Sequence, residues 1–149
     1  MSMPSETKDR PRRHVPARPW ILLLVDDEPD ILDAIGDLVE TELPGVKVLR
    51  AASGHEGLGV LQDERVDGII ADYTMAGMDG LQFLAIARRC HPGIPRVMFT
   101  ANPDPALVQM ARHEAAVQGF LHKQAGPEEL LDRVCDAFLT YAPAIPPEP

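Results

Sequence analysis

Cysteine is scarce in this 149-residue chain. Its two cysteines, Cys90 and Cys135, stand at neither a metal-ligand nor a redox spacing. That argues against a disulfide-built scaffold, and both thiols are expected to be reduced and buried or half-buried. Positive charge is also in short supply: 14 Lys and Arg face 23 Asp and Glu, a net charge of −9. Such a balance speaks against direct binding to nucleic acid or to an anionic membrane by charge alone. No apolar run approaches the ~18 residues that span a bilayer. Ile21–Val25 is too short for a signal-peptide core and runs straight into Asp26-Asp27. A cytoplasmic location is the expectation. The histidines (His14, His55, His91, His113, His122) show no ligand spacing and are expected at the surface, and no internal repeat is present.

What the chain does have is concentrated between its ends. Residues 1–19 hold five Lys/Arg against two acids, and together with 141–149 they contain eight of the fifteen prolines. Such segments cannot build a packed core, so 1–19 is read as an Arg/Pro-rich tail and 141–149 as a Pro-rich tail or truncated linker. The domain between them spans 20–140. There, strand and helix patterns alternate. Strands are predicted at 20–25, 46–51, 67–72, 96–100 and 118–121. Helices are predicted from Pro29 to about Leu43, from Ser53 as N-cap to about Glu64, over Gly80–His91, from about Asp104 to His113, and from Gly126-Pro127 through Leu139. Gly57 and Gly59 make the second helix the weakest, at about 1 kcal/mol each relative to Ala. The last helix shows an apolar stripe of Leu130, Leu131, Val134, Phe138 and Leu139. Five βα units with short right-handed connections predict an α/β fold with a doubly wound, five-stranded parallel sheet.

Three charged points follow apolar strands: Asp26-Asp27 after the first, Asp72 after the third and Lys123 after the fifth. In an open α/β sheet such strand ends converge where the strand order reverses. Three carboxylates brought together repel unless a cation neutralises them. A divalent metal such as Mg²⁺ does so with oxygen ligands while leaving room for a phosphate. The pattern points to metal-assisted phosphoryl transfer. Taken singly, each residue also has a plainer reading. Asp27 could cap a helix before Pro29, Thr100 could be a strand-end hydroxyl, Lys123 a solvated lysine, Asp79 a turn or cap residue and Phe120 a core ring.

In order, V-D-D-E (25–28), D-Y-T-M (72–75), M-D-G (78–80), T-A (100–101) and Lys123 resemble a response-regulator receiver domain, the phosphoacceptor module of two-component signalling. The resemblance covers residues 20–140 and implies a flavodoxin-like fold with strand order 2-1-3-4-5. It implies that Asp72 is the phosphoacceptor. Mg²⁺ would be held by Asp27, Asp72 and the Thr74 carbonyl, with Asp26 acting through water. Lys123 would pair with the phosphoryl group, Thr100 would donate its hydroxyl to it, and Thr100 with Phe120 would form a switch. The implied partners are a sensor histidine kinase or histidine phosphotransfer protein, a downstream target protein and, on phosphorylation, a second copy in a homodimer. By the same resemblance the chain is a regulatory domain that catalyses only its own phosphorylation and dephosphorylation.

Two positions depart from the family pattern. Gln124 replaces the usual proline after the lysine; a cis bond before a non-proline residue costs about 2.5–4 kcal/mol, so a trans Lys123–Gln124 bond is expected, or failing that a strained one. Ala76 likewise stands where proline is common. No basic recognition helix follows the domain, and a stand-alone receiver is favoured over one excised from a larger protein. Two other readings stand beside it. One is a Mg²⁺-dependent phosphohydrolase working through an aspartyl phosphate, for which the acids at 26–27 have the wrong spacing. The other is a receiver that binds partners without being phosphorylated.

Overall fold

Six consecutive residues without a charge form a stable strand only if helices cover both faces. Trp20–Val25 is such a strand (β1). The computed structural model describes residues 19–139, in which β1 lies inside a five-stranded sheet with β2 (Val46–Ala51), β3 (Gly68–Asp72), β4 (Arg96–Thr100) and β5 (Gly119–His122). All pairings are parallel and the order is β2-β1-β3-β4-β5. The expected tails at 1–19 and 141–149 lie outside the described residues, apart from Pro19.

Because successive strand side chains point to opposite faces, β1 feeds two cores. Leu22 and Leu24 join Ile70, Val97 and Phe99 beneath α1 (Pro29–Glu42) and α5 (Pro127–Val134). Leu23 and Val25 join Ile69, Ala71 and Met98 beneath α2 (Gly54–Asp63), α3 (Gly80–Cys90) and α4 (Pro105–Ala115). Strand order reverses beside β1, so the carboxyl ends of β1 and β3 flank the crevice where open α/β sheets gather their chemistry.

The predicted spans of β1, β2 and β4 match the structure residue for residue. β3 starts one residue later than predicted, at Gly68. Asp67 instead turns its carboxylate back to accept the Ile21 N–H at 2.8 Å. β5 is displaced by one residue, and α4 runs on to Ala115 rather than stopping at His113. Its last carbonyls are satisfied from outside: Arg88 donates to His113 and Glu114, and the buried Arg96 donates to Ala115 and Ala116.

Within α2, Gly57 serves packing, while Gly59 faces open space. A Cβ on Gly57 would stand 2.8 Å from the Phe83 ring and 3.2 Å from Val25, so the helix gives up propensity for a close approach to β1 and α3. The last helix does not continue regularly. After Val134 it widens into a π-helical turn over Cys135–Leu139, which brings Phe138 within 5.3 Å of the Trp20 ring. Leu130, Leu131, Val134 and Phe138 are buried as predicted, while the Leu139 side chain lies outside the described residues. Two expectations about side-chain environment are corrected. Cys90 is exposed, since it falls in the last turn of α3 beside the exposed Arg88 and Arg89. His91 and His122 are half-buried rather than on the open surface.

Candidate functional site

β1 ends at Val25, so Asp26 begins the loop while still paired to the sheet: its N–H donates to the Ala51 carbonyl at 3.1 Å. Its side chain is fully buried, and Asp72, the last residue of β3, is 2 % exposed. Asp27 points outward. One oxygen from each of Asp26, Asp27 and Asp72 lies within 4.8 Å of the others. β5 carries Lys123 to the same place, its backbone N–H donating to the Thr100 carbonyl at 3.0 Å. The Lys123 ammonium sits 3.0 Å from Asp72 Oδ1, 3.6 Å from Asp26 Oδ2 and 3.7 Å from Glu28 Oε1.

Burial pushes the Asp26 carboxyl above the ordinary carboxylate range. Hydrogen bonding from the Glu28 N–H (2.9 Å) pulls it down, and the Asp72 charge pushes it further up. Burial likewise raises Asp72, against the opposing pull of Lys123 and the Thr74 backbone amide. Burial alone would lower Lys123, but its hydrogen bond to Asp72 and the charges of Asp26, Asp72 and Glu28 outweigh that and raise it. One ammonium thus serves three carboxylates. Asp26 Oδ2 and Asp72 Oδ2 are buried and accept no hydrogen bond from the described residues. Unsatisfied hard oxygens of this kind, clustered around net negative charge, fit a divalent cation with oxygen ligands.

The fold has known counterparts. The family model described as response regulator receiver domain matches residues 22–135. This chain belongs to that family. The receiver is 39% identical over 130 residues to the transcriptional regulatory protein GlrR of Escherichia coli K12, covering 85% of this chain but 28% of GlrR. The match thus spans little more than a quarter of that relative's length. Among solved structures, chemotaxis protein CheY4 of Vibrio cholerae superposes with a TM-score of 0.74 at 29% identity, covering 80% of this chain and 98% of that one. The signal receiver domain of an HD domain-containing protein from Pseudomonas fluorescens Pf-5 superposes with a TM-score of 0.76 at 29% identity, covering 83% and 97%. Among the described residues no helix is long and apolar enough to cross a membrane.

Within this receiver the remaining candidates take distinct places. Asp27 does not cap α1; Glu28 holds the N-cap position, and Asp27 Oδ2 instead accepts the Ala76 N–H at 3.0 Å, tying β1 to the loop after Asp72. Thr74 is exposed on that loop. The loop is short because Gly80 folds back onto it: a Cβ at Gly80 would lie 2.1 Å from the Asp72 carbonyl oxygen. Asp79 is a cap, forming a capping box with Gln82. Thr100 is buried at the end of β4, one residue beyond the pair Asp72–Phe99, and its Oγ accepts the Asn102 N–H at 3.2 Å. Phe120 is half-buried against the second core, with the Arg112 guanidinium 5.9 Å over its ring.

The Lys123–Gln124 peptide is trans; there is no cis bond among the described residues. Sequence reasoning missed Glu28 as a partner of Lys123. The acid stood in the quoted V-D-D-E run, but nothing local tells that a lysine 95 positions later reaches back to it.

Proposed function

We propose that this receiver accepts a phosphoryl group on Asp72 in a two-component phosphorelay and uses the modification to switch a protein-binding face. The observation that carries the reading is the buried Asp72 carboxylate itself. One oxygen is held by Lys123 at 3.0 Å and the other accepts no hydrogen bond, with Asp26 and Asp27 alongside.

In the reaction an Asp72 oxygen forms a bond to phosphorus while the bond from phosphorus to the donor breaks. The donor's leaving group is acetate for acetyl phosphate and an imidazole for a phosphohistidine on a sensor kinase or phosphotransfer protein. Holding attacker and donor in line is most of the catalysis. Lys123 balances charge on the arriving phosphoryl oxygens, and its pairing with Asp72 keeps the ammonium there beforehand. Thr100 accepts from Asn102 through its oxygen, which leaves the hydroxyl proton for a phosphoryl oxygen. Mg²⁺ would be held by Asp27, Asp72 and the Thr74 carbonyl, with Asp26 reaching it through water; when bound it supplies the positive charge that three carboxylates lack. The phosphoryl group adds about −1.5 to −2 of charge, enough to bias a two-state element built from Thr100 and Phe120.

The test is incubation with acetyl phosphate or phosphoramidate and Mg²⁺, followed by intact mass. One added phosphoryl group, absent in Asp72→Asn and slowed in Lys123→Ala, is the expected result. A wild-type protein that stays unlabelled would sink the reading in favour of a receiver that only binds partners. Sustained release of phosphate from simple monoesters would favour the phosphohydrolase.

A further inference from the structure

Lys123 sits on a turn that a proline at position 124 would build differently. The Ala125 N–H donates to the His122 carbonyl at 3.0 Å, closing residues 122–125. The Gln124 N–H, which a proline would lack, donates to the Nδ1 of the same His122 at 3.1 Å. His122 therefore answers two amides of the turn, one with its carbonyl and one with its ring. The second bond copies the Asx turn, in which a side-chain acceptor takes the N–H two residues on.

We propose that His122 is the positioning residue for Lys123, replacing with a hydrogen bond the constraint that a prolyl ring would supply. This inference rests on the phosphoacceptor reading. Lys123 has alternatives to guard against: its ammonium is 3.0 Å from the buried Asp72 but also 3.7 Å from the exposed Glu28. The backbone N–H of Lys123 is fixed to Thr100, so the freedom left to the lysine lies on its carboxyl side, in the bond to Gln124. That side is the one His122 closes. A slack turn lets the lysine stem lean toward Glu28 and solvent and lengthens its contact with Asp72. The carboxylates themselves, carried by the ends of β1 and β3, keep their places in such a change and lose only the nearby ammonium.

The test compares wild type, His122→Ala, His122→Asn and Lys123→Ala for the rate of labelling by acetyl phosphate at saturating Mg²⁺. Mg²⁺ affinity is measured by calorimetry and exchange of the Gln124 amide by NMR. His122→Ala is expected to label about five-fold more slowly, the worth of one ordinary hydrogen bond, with Mg²⁺ affinity not weakened and the Gln124 amide exchanging faster. His122→Asn, whose side-chain oxygen can accept the same N–H, is expected to recover both rate and protection. A His122→Ala protein that labels at the wild-type rate overturns the inference while leaving the phosphoacceptor reading intact. Equal slowing in the Ala and Asn variants also overturns it, since that outcome means the ring acts by packing. Wild-type protein that does not label removes the phosphoacceptor reading and the inference together.

Discussion

Replacing Asp26 by asparagine should stabilise the metal-free protein even though it removes a carboxylate from the proposed metal site, and the gain can be worked from distances. Asp72 lies within 4.8 Å of the Asp26 carboxylate, and at an effective dielectric of about 20 two such charges repel by about 3.5 kcal/mol. Lys123 at 3.6 Å attracts it by about 4.6 kcal/mol on the same basis. Asp27 is exposed, so its repulsion is closer to about 1 kcal/mol. The charge interactions nearly cancel. What remains is the desolvation of a fully buried carboxylate, several kcal/mol per ion, against one charged hydrogen bond from the Glu28 N–H worth about 1.5–3 kcal/mol. An asparagine keeps that bond through its own oxygen and has no charge to desolvate. The net expectation is about 1–3 kcal/mol in favour of Asp26→Asn.

Urea unfolding in EDTA at pH 7 measures it. Trp20, the single tryptophan, is 1 % exposed against Phe138 and reports the transition. It stands about 20 Å along β1 from Asp26, six residues at ~3.3 Å each, so its emission follows unfolding and not events at the site. The pH dependence has a definite sign. With its folded pKa above the ordinary value of 3.8, Asp26 contributes stability that is fully present below that value. The contribution is lost as pH rises through the folded pKa. The variant should therefore match wild type in acid and pull ahead toward neutrality. Adding Mg²⁺ should narrow or reverse the gap by stabilising wild type more than the variant. A variant less stable than wild type at pH 7 in EDTA would refute the reasoning, because burial could not then be the dominant contribution.

Mg²⁺ affinity should weaken as pH is lowered, since the raised Asp26 and Asp72 carboxyls let protons compete for the same oxygens; calorimetry should show tighter binding at pH 8 than at pH 5.5, and equal affinities would contradict it. Gly80→Ala places a methyl 2.1 Å from the Asp72 carbonyl oxygen and 2.8 Å from the Tyr73 Cα, both backbone atoms that cannot swing aside. The expected cost is about 3 kcal/mol in urea unfolding, and a cost under about 1 kcal/mol would show that the loop yields freely. Arg96→Met removes the donor to the carbonyls of Ile94, Ala115 and Ala116. Buried carbonyls left bare cost about 1–3 kcal/mol each, so hydrogen exchange should accelerate in the last turn of α4 before it does in β1; unchanged protection there would show that water replaces the guanidinium.

Sheet, strand order and the carboxylate cluster were legible because each rests on one-dimensional signals. β1, β3 and β4 are short apolar runs bounded by polar residues, and parallel strands carry their site residues at the same end. Lys123 was legible only as a position in that order. Arg96 was not, since a charged residue at the first position of a strand ordinarily marks an edge. This one is buried only because four carbonyls from two separate segments meet it. Cys90 misled for the converse reason: cysteine is usually buried, but the last turn of α3 carries it into solvent beside Arg88 and Arg89. The π turn that begins at Cys135 was invisible because the apolar stripe of α5 continues through it. Its cause is packing, the approach of Phe138 to Trp20 over Gly68, where a Cβ would come within 2.5 Å of the indole.

The same burial that makes Asp26 and Asp72 costly to ionise makes them useful. In water a carboxylate binds a divalent ion weakly because solvent screens it and fills its lone pairs. At the end of a sheet covered on both faces, one oxygen of Asp26 and one of Asp72 have no hydrogen-bond donor among the described residues, and among these the Lys123 ammonium alone balances three acids. The sheet can hold that arrangement because the charges are divided among the ends of three strands, Asp26 and Asp27 after β1, Asp72 at the end of β3 and Lys123 after β5, so no single element bears the whole repulsion. Moving Asp72 back along β3 by one position would turn its side chain to the opposite face and out of the cluster. The strict placement of Asp26, Asp72 and Lys123 at strand ends is therefore a requirement of the chemistry, and Gln124 tests how much of that requirement the turn after β5 must meet without a proline.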